Sequence, residues 1–390
     1  MEITTGQPEW VELAVIGGGP AGTAAALEAC RRGMRVAVWE RERFPRDKVC
    51  GEFLSPEALP LLKEEIRGAL ERGAAIRRSE FISPSGRAHS FWFPRPGRGL
   101  SRRALDEALW RAAASAGAET RVGEAVRRVR RVAPSSQVSS GWELETAGGE
   151  IRRAQALLVA CGRWWTIDGL PSPARENRKG AVGPWMGAKA HFKDVPPRDA
   201  VEMYYFPGGY CGLAPIEDGL YNACCLVHRS VVRQGRTTAL NDFAAWLGGV
   251  ARHPVLDARL QGATQVTDTL STAPLCPARR RAEHDGALLA GDASGFLDPF
   301  TGDGISIGLH SGRLAARELA EARSNGRVDS RQAARNYQRQ LSSAVRRSYL
   351  IAGLLRSLVF AGASVQSSAA AALPWLGARL LEQTRWREAS

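Results

Sequence analysis

Val11-Glu-Leu-Ala-Val-Ile-Gly-Gly-Gly-Pro-Ala-Gly22 decides the fold. Four apolar residues, Leu13 to Ile16, run straight into Gly17, Gly19 and Gly22. That is the G-x-G-x-x-G spacing of a strand that turns sharply into a helix. Gly17 permits the tight turn, Gly19 lets a pyrophosphate approach bare backbone, and Gly22 lets the helix pack closely on the strand. The helix start offers free N–H groups and the positive end of its dipole to that pyrophosphate. Thr23 to Arg32 is rich in helix formers and stops at Gly33, a good C-cap. Arg35-Val-Ala-Val-Trp39 then reads as a second strand, closed by Glu40 where a carboxylate would meet the ribose hydroxyls of an adenosine.

A second stretch, Ala287-Leu-Leu-Ala-Gly-Asp-Ala-Ser-Gly-Phe-Leu-Asp-Pro-Phe-Thr-Gly-Asp-Gly304, identifies the dinucleotide. An apolar strand, Ala287 to Ala290, runs into Gly291-Asp292, then a Pro- and Gly-rich loop, then a helix from about Ile305. Asp292 stands at a strand end, placed to accept hydrogen bonds from a polyol. Gly302 and Gly304 bring backbone N–H groups at a helix start close to a flat, electron-rich ring. A flavin needs such donors near N1 and O2, where negative charge gathers on reduction.

With both glycine turns in place, the chain resembles the large family of FAD-dependent oxidoreductases with the para-hydroxybenzoate hydroxylase fold. That family includes aromatic hydroxylases, flavin halogenases and geranylgeranyl reductases. The resemblance spans about residues 10 to 325. Ser101-Arg102-Arg103-Ala104-Leu105-Asp106 is similar to the family's R-x-x-L-D helix start, which implies that Arg102 reaches the FAD. Its alternative is a solvated helix arginine. One element departs from the pattern: Leu157-Leu-Val-Ala-Cys-Gly-Arg-Trp164 lacks the aspartate of the family's Asp-Gly pair, keeping the strand and Gly162. That departure puts conventional NADPH docking in doubt and leaves FAD binding intact. The resemblance implies a cofactor cradle of Gly17, Gly19, Ala21, Gly22, Glu40, Arg41, Lys48, Arg102, Val126, Gly162, Asp292, Gly302, Gly304 and Ile305.

The chain has 390 residues, 44% hydrophobic and 24% charged, the make-up of an ordinary soluble protein. No apolar run reaches the roughly 18 to 20 residues that cross a bilayer. The N-terminal MEITTGQPEW is acidic and polar, so no secretory leader is expected there. Seven cysteines without metal-like spacing predict a reducing cytosol and no metal site. Cys224-Cys225 read as small core residues in a strand. The net charge of +13 comes with arginine clusters at 127–131 and 279–281, without interleaved aromatics or a nucleic-acid motif. A generic arginine-rich surface is its plain reading; a weak contact with an anionic membrane surface or an acidic carrier domain is the alternative.

Along the chain, Ile76–Ser83 and Ala88–Phe93 read as strands joined by Pro84-Ser85-Gly86. A helix over 101–117 precedes strands at about 120–131, 142–146 and 151–160. From Gly183 to about 275 short alternating strands (Met186–Phe192, Val201–Phe206, Cys211–Pro215, Tyr221–Val227) are broken by one helix, about Thr238–Leu247. The fold class is therefore α/β (α+β overall): a Rossmann-like FAD-binding domain, a second antiparallel-sheet substrate domain, and a helical C-terminal tail. The FAD domain is divided over 1–75, 101–182 and 276–326. Segments 76–100 and 183–275 are substrate-side, and 327–390 is the tail. Tyr349–Ala361, with Trp375, Leu376, Leu380 and Leu381, is greasy enough to anchor at a surface, but packing against the body explains it better.

FAD carries the redox chemistry, and the protein positions the substrate. Arg46-Asp-Lys-Val-Cys-Gly-Glu-Phe53 resembles the K-x-C-G segment of the geranylgeranyl reductase branch, which implies that Cys50 lines the active site. Its alternative is a buried structural thiol. Phe206-Pro-Gly-Gly-Tyr-Cys-Gly212 suits a wall over an apolar substrate, with Tyr210 in it, and Tyr204-Tyr-Phe-Pro207 is similar to a reductase segment. Sheet core is the competing reading for these aromatics. Pro299 is placed beside the ring face. The favoured reaction is a flavin monooxygenase: a C4a-hydroperoxide of reduced FAD, kept in a dry pocket, oxygenates an apolar aromatic or polyketide-like molecule. The alternative is a geranylgeranyl-reductase-like saturation of an isoprenoid double bond. Halogenation ranks third, because W-x-W-x-I-P is missing. NAD(P)H would bind transiently, or a partner reductase would supply electrons.

Overall fold

The computed structural model describes residues 10–133, 141–171, 184–234, 242–275, 277–359 and 386. Two sheets organise it. The first contains β1 (Trp10–Ile16), β2 (Val36–Glu40), β6 (Glu119–Val122), β7 (Val126–Val132), β8 (Gly141–Thr146), β9 (Ile151–Val159), β17 (Glu283–His284) and β18 (Ala287–Leu289). Its main path runs β17-β18-β9-β1-β2-β6, with β18, β9, β1, β2 and β6 parallel. Leu13, Ala14 and Val15 are wholly buried, as a central parallel strand with both faces covered requires. One face packs on α1 (Pro20–Arg31), α3 (Arg102–Ser115), α7 (Gly304–Glu321) and α8 (Ser330–Val359); α2 (Arg67–Arg72) lies at its edge. The other face carries Trp39, Trp142, Trp165 and Ile167.

The second sheet contains β3 (Phe53–Leu54), β4 (Ala74–Ile82), β5 (Ala88–Gly99), β10 (Trp185–Lys193), β11 (Ala200–Phe206), β12 (Gly209–Pro215), β13 (Tyr221–His228), β14 (Thr264–Gln265) and β15 (Leu270–Leu275). Its order is β14-β10-β13-β12-β11-β4-β5-β3, with β15 on β10. Side chains alternate across it. Ala188, Ala190, Phe192, Tyr204, Phe206, Ala223 and Cys225 enter a core closed by Phe243, Trp246 and Leu247 of α5 (Phe243–Ala251). The other face looks toward the first sheet. Helices α4 (Arg229–Gln234) and α6 (Pro254–Leu260) complete this region, and a two-strand ribbon, β16 (Ala278–Arg279) with β19 (Gly295–Phe296), bridges to the distal glycine loop.

Several expectations change. The strand expected at 120–131 is two, because Gly123 turns at φ +81° and sends β6 to β2 and β7 to β8. The second sheet is not wholly antiparallel: β11 pairs with β4 in parallel, so the strands from 74–99 and 200–215 form one surface. The helix expected from Thr238 begins at Phe243 on the Asp242 cap, residues 235–241 lying outside the described ones. A further helix, α6, was missed; Arg252 (φ +47°) ends α5 and Pro254 starts α6. Cys225 is core, whereas Cys224 points to the opposite face and is half-buried. The tail divides: Ala333, Ala334, Tyr337 and Leu341 of α8 are buried and Tyr337 donates to the Leu289 carbonyl, but in the greasy segment from Tyr349 only one side packs, with Tyr349 and Ile351 against the body and Leu350 and Leu354 exposed. Trp375, Leu376, Leu380 and Leu381 lie outside the described residues.

Candidate functional site

Both glycine turns open at the C-terminal edge of the first sheet. Gly17 has φ +113°, and a Cβ there would lie 2.4 Å from the Ala160 carbonyl oxygen. A Cβ on Gly22 would lie 1.8 Å from the Gly17 oxygen. No side chain caps the start of α1, so its first N–H groups are left for an anion. Ala21, in that first turn, meets the second glycine loop: a Cβ on Gly291 would be 3.0 Å from its own Cβ, and Gly312 packs against its carbonyl. The two distant turns therefore converge on one helix start.

Arg102 stands over that start, its Nη2 3.8 Å from where a Gly19 Cβ would be. It donates twice to the fully buried Asp106, each at 2.7 Å. Burial alone would lower its pKa, but the Asp106 carboxylate outweighs burial and raises it. Glu40 is buried, takes the Gly18 N–H at 2.8 Å and pairs with Arg46 at 2.6 Å. The backbone N–H groups of Gly123 and Glu124 close on the Glu40 carbonyl, which brings the buried Val126 to the same end. Lys48 donates to Glu42 there, and Arg41 is exposed. Gly162 turns at φ +73° beyond β9.

Asp292 has no hydrogen-bond partner among the described residues, and burial raises its pKa against the opposing pull of Arg163 and Arg102. Gly302 has φ +70°, Gly304 faces open space at the start of α7, and Ile305 is buried behind it. An uncapped helix start under Arg102, the buried Glu40 carboxylate, the Asp292 carboxylate and an open second helix start are the groups that the pyrophosphate, adenosine, ribityl chain and ring of an FAD would call for in turn.

The inward face of the second sheet has two halves. Its apolar half is an aromatic wall: Phe81 stacks on Tyr205 at 5.8 Å and 8°, and Phe300 meets Tyr210 edge-on at 5.8 Å. Tyr210 lies in the same buried aromatic cluster, and burial pushes its phenol well above the ordinary value. The Tyr204–Pro207 segment divides by strand pleat: Tyr205 faces the wall, Tyr204 and Phe206 the opposite core. Pro299 is exposed; its neighbour Phe300, which sequence reasoning passed over, enters the wall.

The polar half was also missed. Lys189 and His191 on β10 face Cys224 and Asn222 on β13. Glu52, fully buried at φ +56°, accepts from Lys189, from the Arg102 N–H at 2.8 Å, and bonds His191 at 2.6 Å. Burial alone would raise the Glu52 pKa, but His191 and Lys189 together carry it below the ordinary carboxylate value. Cys50 belongs to the polar half: its carbonyl accepts from Asn222 at 3.0 Å, its Sγ accepts the Glu52 N–H at 3.3 Å, and it packs against the core of the first sheet. Burial pushes the Cys50 thiol up, against the nearby Arg102 charge. Asp47, Glu52 and His191 each offer a ligand atom within 4.8 Å of the others, but the Lys189 ammonium already stands 3.7 Å from Asp47 and 3.1 Å from His191. The signal for this cluster was in Met186-Gly-Ala-Lys-Ala-His-Phe192, where two basic residues alternate with buried apolar ones.

The FAD binding domain family matches residues 12–46. Menaquinone reductase of Mycobacterium tuberculosis is 29% identical over 87% of the chain and 84% of its own length. Digeranylgeranylglycerophospholipid reductase 2 of Methanopyrus kandleri is 27% identical over 80% of the chain and 77% of its own length. A solved flavin-dependent brominase superposes with a TM-score of 0.75 at 21% identity, covering 97% of this chain and 95% of that one.

Proposed function

We propose that this chain, which belongs to the superfamily of FAD-dependent oxidoreductases, saturates a carbon–carbon double bond of an apolar, isoprenoid-like molecule. Reduced FAD, when bound, would supply the hydride and become oxidised. The observation that carries the reading is that the inward face of the second sheet holds the aromatic wall and also, through the Asn222–Cys50 hydrogen bond, a thiol. Phe81, Tyr205, Tyr210 and Phe300 offer a water-excluding surface for a prenyl chain. Saturation adds a hydride to one carbon and a proton to the other, so a group that keeps its proton at neutral pH is required beside the chain. Cys50 is such a group, since burial favours the thiol over the thiolate. It holds the proton at Sγ, delivers it to carbon and is reprotonated from solvent. Arg102 and Asp292 bind and orient the cofactor, and the Glu52–Lys189–His191 cluster holds the Cys50 loop to the substrate sheet. The two relatives named as reductases support this reading.

Oxygen transfer to an aromatic or polyketide-like molecule is the second reading. The same dry aromatic wall favours it, because a chamber that excludes water also suits oxygenation. NAD(P)H or a partner reductase would supply electrons in either case.

The test is to photoreduce the FAD-loaded protein under argon and add geranylgeraniol. Return of the oxidised flavin spectrum with formation of a saturated product supports reduction, and Cys50→Ala then slows that return by about 10²-fold, the ordinary worth of a positioned acid. No return under argon, with a long-lived flavin adduct after oxygen is admitted, supports oxygen transfer and sinks the reductase reading.

A further inference from the structure

We propose that Arg356 is a positioning residue: from the C-terminal helix it fixes the Asp298–Gly302 loop and so holds Phe300 in the aromatic wall. The inference rests on FAD binding and not on which reaction follows.

The two carboxylate oxygens of Asp298 are divided between two tasks. Oδ1 accepts the Phe300 N–H at 3.1 Å, and Oδ2 accepts Arg356 Nη1 at 2.5 Å. Asp298 is 3% exposed, so its charge would otherwise be left in a low-dielectric setting. Phe300, set by Oδ1, touches three aromatic rings from three strands: Phe81 at 6.1 Å, Tyr205 at 6.0 Å and Tyr210 at 5.8 Å. Two residues beyond it comes Gly302, in the left-handed region, and then the open start of α7 at Gly304. The orientation of this one carboxylate therefore bears on both the wall and the loop toward the flavin ring.

Arg356 also reaches the second sheet. Its guanidinium lies 5.0 Å from the Trp185 ring centre, at the start of β10. Further back on α8, Ile351 packs against the aromatic cluster, and the Tyr349 hydroxyl lies so close to Gly295 that a Cβ there would meet it at 2.4 Å. The helix thus lies along the loop from Gly295 to Asp298 and ends in a cation joining loop, helix and substrate sheet. An arginine that served only to anchor the tail would need Asp298 or Trp185, not both.

The experiment uses the FAD-loaded full chain with Arg356→Gln, Arg356→Lys, Asp298→Asn and the Asp298→Asn/Arg356→Gln double variant. The readouts are the rate at which FAD escapes on dilution and the access of acrylamide to the bound flavin; the melting temperature is followed in parallel. R356Q is expected to speed FAD escape about tenfold and raise acrylamide access, as loss of coupling between contacting charged groups implies. R356K recovers most of both, and the double variant is no worse than the worse single one. The proposal is overturned if R356Q lowers the melting temperature without changing escape or access, or if the effects of D298N and R356Q simply add. Should R356Q fail to fold, D298N and R356K decide: escape faster in D298N and near normal in R356K supports the assignment, and unchanged escape in D298N overturns it.

Discussion

The cofactor cradle and the aromatic wall are built on opposite principles. In the cradle, backbone would do the binding: Gly17 and Gly22 leave no room for a side chain, and the groups offered are N–H groups at an uncapped helix start. In the wall, side chains do it, and the backbone only decides which way each one points. The first kind of site tolerates almost no added atom and shows plainly in a sequence. The second tolerates exchange of similar rings and is visible only once strands are paired.

The sharpest break of this contrast is Gly22→Ala. One methyl would stand 1.8 Å from the Gly17 oxygen, so strand and helix must separate. Overpacking of this kind costs about 1–3 kcal/mol or more, and the protein is expected to bind FAD at least about 100-fold more weakly. Titration of apo-protein with FAD checks it, and a yellow, tightly loaded variant would contradict the backbone-borne account.

Lys189→Met acts next. It leaves the fully buried Glu52 without its ammonium, a loss of about 3–5 kcal/mol in the melting free energy. FAD affinity should change far less. The sign with pH follows from Glu52 lying below the ordinary carboxylate value. Its stabilising contribution is present above that ordinary value and fades as pH falls through the depressed folded value. Without Lys189 the folded value rises, so acid melting of the variant begins at higher pH than in the parent. Melting curves from neutral to acid pH measure both effects.

The smallest effect separates two neighbours. Tyr204 donates to the buried Glu202 at 2.7 Å, and Tyr204→Phe should cost about 1.5 kcal/mol. The Tyr205 hydroxyl is buried without a partner, so Tyr205→Phe should leave stability within about 0.5 kcal/mol. Equal losses in denaturant melts would mean that the pleat does not divide this segment as described.

Legibility follows the same division. The order strand, Gly17, Gly19, Gly22, helix, Glu40 was readable because each step is a local steric demand. Gly291-Asp292 and the loop to Gly304 were readable for the same reason. Cys50 came from resemblance and Tyr210 from two aromatics beside a glycine turn; the structure puts Cys50 next to Asn222 and Glu52, and Tyr210 in the buried aromatic cluster. The Phe81–Tyr205–Phe300 contacts were not readable, because they join β4, β11 and the distal loop across long stretches of chain. Nor was the Glu52–Lys189–His191 cluster, because surface statistics assign Glu and Lys to solvent. The split of the 120–131 strand turned on one glycine, Gly123, whose positive φ is indistinguishable in sequence from an ordinary glycine.

Sequence alone determined the glycine-lined strand-to-helix turn and pointed to a flavin dinucleotide, because that pattern depends on spacing along a few consecutive residues. Tertiary structure decided which aromatic rings cluster on the inward face of the second sheet, which charges are buried together beside Cys50, and that the C-terminal helix reaches Asp298. Those arrangements depend on strand register and on packing between segments far apart in the chain, 58 residues for Arg356 and Asp298 and 137 for Glu52 and Lys189, and neither is written in local order.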